Sequence, residues 1–93
     1  MARLLEDIEP GTPVYLNDLQ VGTVSGVYAQ GAALLAEYVL IAWTERDDEV
    51  LVATKEVASL EAKGVILMGE DPQGYFELPP FVEANYPTIR RLR

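Results

Sequence analysis

The sequence contains no histidine and no cysteine in 93 residues. Without thiols, disulfides, CxxC redox pairs, cysteine nucleophiles and thiolate zinc sites are all excluded. Without imidazole, Ser-His-Asp and Cys-His arrangements go too, together with the commonest general base. Long hydrophobic runs are also missing. The longest, Tyr38 to Trp43, has strand length and falls far below the ~18–20 apolar residues of a membrane span, so no membrane role is expected. The start, Met1-Ala2-Arg3-Leu4-Leu5-Glu6-Asp7-Ile8-Glu9, is too acidic for a secretory signal, which leads us to expect a cytoplasmic protein. No GxGxxG or P-loop occurs, so the usual phosphate cradle is lacking.

Positive charge is scarce. Fifteen acids face seven bases for a net charge of −8. Three of the bases, Arg90, Arg91 and Arg93, fall in the last four residues. The rest of the chain therefore carries four bases against fifteen acids. Such a body repels a phosphate backbone, so nucleic acid is not an expected partner, whereas a basic protein is compatible.

What is present is the composition of one ordered domain: 49% hydrophobic, 24% charged and 9% aromatic. Residues 1–11 read as a lead-in, with Leu4, Leu5 and Ile8 at helical spacing cut short by Pro10-Gly11. A first strand spans Thr12 to Leu16, with Pro13 at its beginning, where a missing N–H is tolerable. Asn17 to Gln20 is a turn, and Val21 to Tyr28 is a second strand. Gly22 and Gly26, four apart, place two side-chain-free positions on one face of that strand, the pattern of a sharp bend or close packing. After a loop at Gln30 to Ala33, where Ala32 to Glu37 suits a short helix equally well, the third strand runs from Glu37 to Trp43. Val39, Ile41 and Trp43 face one way, and Tyr38, Leu40 and Ala42 the other. A charged hairpin loop, Thr44 to Asp48, leads to a fourth strand at Glu49 to Ala53. Thr54 to Val57 is irregular or 3₁₀, and two more strands, Ala58–Glu61 and Val65–Met68, meet at Ala62-Lys63-Gly64. Residues 70–93 hold four of the six prolines, with Phe76, Leu78, Phe81 and Tyr86 interleaved. Proline forbids a central strand or a long helix there, and aromatics are costly to leave in water, so this segment should drape over the body.

The run Gly11-Thr12-Pro13-Val14-Tyr15, then Asn17-Asp18 and Val21-Gly22-Thr23-Val24, resembles the PRC-barrel domain. The similarity continues through Tyr38 to Trp43, the charged turn Glu45 to Glu49, Val50-Leu51-Val52, Val57, Leu60 and Val65-Ile66-Leu67, and covers roughly residues 11–69. The family occurs at the C-terminus of the ribosome maturation factor RimM and in the photosynthetic reaction-centre H subunit. It often has a glycine in the first turn, where this chain has Leu19 and Gln20, and a proline after the fourth strand, where Ala53-Thr54 stands. The resemblance implies an all-β fold: a small PRC-like barrel of about six strands over 12–69, with the extended 70–93 segment packed on it. It also implies a non-catalytic module for protein contacts, with no catalytic residues to carry over.

The candidates for chemistry read better as surface. Glu45, Asp47, Asp48 and Glu49 form the densest acid cluster, but EF-hand spacing is missing and Arg46 interrupts it, so a solvated hairpin tip is expected in place of a metal site. Asp18 and Glu37 lie near strand ends and are not brought together by spacing, and Lys55 and Lys63 sit in connections. No cofactor, metal or enzymatic activity is expected. The short basic end at Arg90-Arg91-Leu92-Arg93 is read either as bonding back to the acidic body or as a fraying terminus. The two-faced apolarity of the third, fourth and sixth strands leads to the main expectation. Outward side chains need a cover, from the tail or from a second copy. A self-associating interaction module, most simply a homodimer, follows, with Tyr38, Leu40, Trp43, Phe76 and Phe81 as candidate interface residues. The alternative is an accessory factor in ribosome assembly, docking on a basic ribosomal protein, although RimM has an additional N-terminal domain.

Overall fold

The computed structural model describes residues 8–33, 35–46, 48–69 and 73–92, and of Gln73 and Phe76 only the backbone. The lead-in at 1–7, Asp47 of the acidic loop and the Phe76 side chain lie outside the described residues. The architecture is all-β apart from single helical turns, with seven strands in one sheet. The order is β4-β3-β2-β1-β6-β5, and β7 pairs with β2.

β1 (Pro13–Leu16) and β2 (Leu19–Gln30) form an antiparallel hairpin closed by the pair Leu16 and Leu19. The expected four-residue turn is in fact two residues long. Asn17 (φ 48°) and Asp18 (φ 68°) both take the left-handed conformation. Two such residues make the hairpin turn that follows strand twist, so the ladder extends into Leu19 and Gln20.

β2 is 12 residues long against four in β1. Its second half is therefore left without a partner on one side, and β7 (Ile89–Arg91) takes that place by pairing with Tyr28, Ala29 and Gln30. The basic end is thus a seventh strand, which the six-strand expectation omitted. Arg90 and Arg91 donate to carbonyls: Arg90 Nε to Gly31 O at 3.1 Å, Arg90 Nη2 to Ala33 O, and Arg91 Nη2 to Ser25 O at 2.8 Å.

β3 (Tyr38–Trp43) and β4 (Glu49–Ala53) pair across the charged loop, and a 3₁₀ turn at Thr54–Glu56 leads to β5 (Val57–Glu61). No helix forms over the described residues of 31–37. β6 (Gly64–Leu67) pairs antiparallel with β5 and parallel with β1.

One core cluster joins Val14 and Leu16 of β1, Val39, Ile41 and Trp43 of β3, Val50 and Val52 of β4, Leu60 of β5, and Val65 and Leu67 of β6. Both ends of the strand order contribute, so the sheet curls around a single interior. No ladder joins β4 to β5 among the described residues.

The tail covers part of the opposite face. Phe81 stacks on Tyr28 with ring centroids 5.6 Å apart, and Tyr86 lies 5.5 Å from Phe81. The Arg91 guanidinium sits 5.9 Å above the Tyr28 ring. Tyr28, beneath these groups, is only 6% exposed and Leu40 only 3%, although neither belongs to the main core cluster.

Candidate functional site

The two glycines singled out in β2 do not share a face. Gly22 stands opposite Trp43, on the core side of β3. Between Val24 and Gly26 the register slips, and Gly26 stands opposite Leu40, on the outer side. Ser25 is the extra residue of a bulge, and one extra residue inverts every later side chain. Gly22 is held by close approach: a Cβ there would lie 2.5 Å from the Ala42 carbonyl oxygen. A second glycine held by close approach reads in the sequence only as part of a turn. Gly64 has φ 146°, and a Cβ on it would overlap the Pro13 carbonyl oxygen where β6 runs beside β1.

The expected interface residues fall into different settings. Trp43 (2% exposed) lies within the core, and Leu40 (3%) is buried beneath the outer face, so neither is on the surface of the folded chain. Trp43 packs against Tyr75, with ring centroids 5.8 Å apart. Tyr38 is half-buried, and its hydroxyl donates to Gln30 Oε1 at 3.3 Å. Phe81 is half-buried and stacked as described above. Large apolar side chains that do remain exposed include Leu19, Leu35, Met68, Val82 and Tyr86. Val82 and Tyr86 are joined by a 3₁₀ turn at Glu83–Asn85, in which the Asn85 N–H bonds to the Val82 carbonyl.

A concavity lies along β4. It encloses about 410 Å³ and is lined by Leu51, Val52, Ala53, Glu56, Gly74, Tyr75 and Leu78. One wall is the edge strand of the sheet. The other is the short helix α1 (Gln73–Phe76) and the residues after it. Two bonds position that wall: Tyr75 donates its hydroxyl to the Met68 carbonyl at 2.9 Å, and Arg46 Nη1 donates to the Leu78 carbonyl at 2.8 Å. Burial first, and then the Glu56 carboxylate with Oε2 3.5 Å away, push the Tyr75 phenol above its ordinary pKa of 10.0. A smaller hollow, lined by Glu37, Tyr38, Ala53, Thr54 and Lys55, adjoins it through Ala53.

The structure brings some of the charged residues considered from the sequence together in pairs, and Glu37 and Lys55 line one hollow. Arg46 and Asp48 form an ion pair (Nε to Oδ1, 2.6 Å) inside the loop between β3 and β4. Lys63 pairs with Asp18 at 3.0 Å and lies 4.9 Å over the Tyr15 ring. Among the described residues no group of three acids is placed to hold a metal ion, and no helix is long and apolar enough to cross a membrane.

No family model matches the chain, and no curated protein or solved structure matches it.

Proposed function

We propose that this protein is a cytoplasmic, non-catalytic interaction module built as a PRC-like barrel, and that it self-associates. The order of elements supports the resemblance: a tight first hairpin, Gly22 pressed against β3, and a β3–β4 hairpin across a charged turn. The observation that carries self-association is the apolar ridge of the tail. Phe81 turns its ring inward onto Tyr28, while Val82 (47% exposed) and Tyr86 (37%) are left facing water. Exposed apolar surface beside an ordered aromatic anchor is the kind of patch that proteins bury between copies. A symmetric pairing of the ridge is the simplest closed solution. The test is the double variant Val82→Lys, Tyr86→Lys. It should shift the particle from dimer to monomer in light scattering while the far-UV circular dichroism stays unchanged. A dimer that survives both charges would place self-association at another surface, and a parent that is already monomeric would refute it.

A further inference from the structure

Among the described residues, the edge of β4 is only partly covered. The Thr54 N–H donates to the Glu37 carbonyl at 2.9 Å, which sets the phase of the β3–β4 ladder. By the alternation of an antiparallel pair, Val50 and Val52 direct their peptide groups to β3, whereas Glu49, Leu51 and Ala53 direct theirs away from the sheet. The tail confirms that direction at one end, because the Phe81 N–H bonds to the outward Glu49 carbonyl at 2.8 Å. Beyond that bond the tail turns off, and Leu51 and Ala53 face the 410 Å³ groove.

We propose that this groove is a docking site for an extended segment of a partner protein, one that adds a strand to β4 and carries a bulky apolar residue flanked by lysine or arginine. Each feature of the occupant follows from a feature of the site. Outward peptide groups at Leu51 and Ala53 call for an extended backbone, since a bare strand edge is satisfied by another strand. Leu51, Val52, Tyr75 and Leu78 make an apolar slot for one large side chain. The flanks are acidic: Glu49 begins the strand, Glu56 closes the groove and Glu37 lines the adjoining hollow, with Lys55 the one base among these linings. On a chain of net charge −8, such a rim favours a basic partner. A second copy supplies no such strand from its described residues. Arg90 and Arg91 of β7 donate to the Gly31 and Ser25 carbonyls, and Lys63 is paired with Asp18. The groove is also separate from the ridge at Val82 and Tyr86, so this proposal and self-association fail independently.

Ala53 offers a clean variant. Its φ of −65° is the angle proline requires, so Ala53→Pro removes the outward N–H without straining the strand. The experiment is an NMR titration of the isotope-labelled protein with acetyl-Lys-Val-Leu-Val-Lys-amide. Comparison peptides carry glutamate at both lysine positions or N-methyl groups on alternate peptide nitrogens. We expect saturable shifts centred on the Leu51, Ala53 and Gly74 amides, weakened about fivefold or more by the glutamate exchange. N-methylation, or Ala53→Pro, should weaken binding about tenfold or more. Should Ala53→Pro not fold, Glu56→Lys serves instead and must reverse the preference between the lysine and glutamate peptides. Absence of saturable shifts overturns the proposal, as does indifference to N-methylation. Shifts at Leu51 and Ala53 that depend on protein concentration without peptide would make a second copy the occupant, and would overturn it too.

Discussion

The Phe81 N–H donates to the Glu49 carbonyl at 2.8 Å, and this bond joins the tail to the outer edge of β4. The same residue sends its ring to Tyr28, two strands away in the sheet. One residue thus fixes both the edge and the outer face, and the chain around it becomes the lid that the outward apolar side chains required.

Phe81→Ala should therefore destabilise the protein by about 1–3 kcal/mol, somewhat below a fully buried Phe because the ring is only half-buried. It should also raise binding of a hydrophobic dye, since Tyr28 loses part of its cover. Thermal melts and dye fluorescence check this. An unchanged melt would mean that β7 holds the tail without Phe81.

Three glycines make a graded test of close approach. Gly22→Ala and Gly64→Ala both drive a Cβ into a neighbouring backbone carbonyl, and each should cost about 1–3 kcal/mol. At Gly64 the positive φ adds strain. Gly74→Ala meets nothing within 4 Å, lies in a helical turn and should be neutral or stabilising by up to about 1 kcal/mol. Equal melting temperatures for all three would contradict the packing described.

Tyr75 gives a pH dependence with a definite sign. Its phenol is held above 10.0 in the folded chain, mainly by burial and then by the Glu56 carboxylate. The fold therefore favours the protonated form, and this contribution is complete below pH 10 and lost as pH rises through the folded pKa. Tyr75→Phe lacks the hydroxyl bond to the Met68 carbonyl and should be less stable by about 0.5–1.5 kcal/mol at pH 8. As the pH climbs above 10 the parent should lose that advantage while the variant does not. Melting curves from pH 8 to 11 for both proteins decide it; parallel curves would contradict the assignment.

The β3–β4 hairpin is readable because two apolar runs flank a charged loop, and β4 falls at Glu49–Ala53, where the second run lies. β7 was not readable. Ile89-Arg90-Arg91 has no alternation, and its place in the sheet depends on how far β2 outruns β1. Gly26 was assigned to the wrong face because a bulge at Ser25 leaves no mark in a strand of valines and glycines. Gly64 reads locally as a turn glycine, and only the parallel contact with Pro13, some fifty residues earlier, shows why glycine is required. The groove had half a signal. Leu51 and Val52 were legible as strand, but Tyr75, which packs on Trp43 and forms the opposite wall, was not among the tail aromatics picked out.

Self-association is the central claim, and the mass of the parent protein in solution tests it most directly. Repulsion opposes it, because each chain carries −8. That repulsion is screened over ~8–10 Å at physiological salt, while burial of an apolar ridge is not. Light scattering at micromolar concentration should therefore give twice 10.3 kDa at moderate salt, with a smaller dimer fraction at low salt. A mass of 10.3 kDa under both conditions would mean that the tail closes the fold by itself, and it would contradict the account.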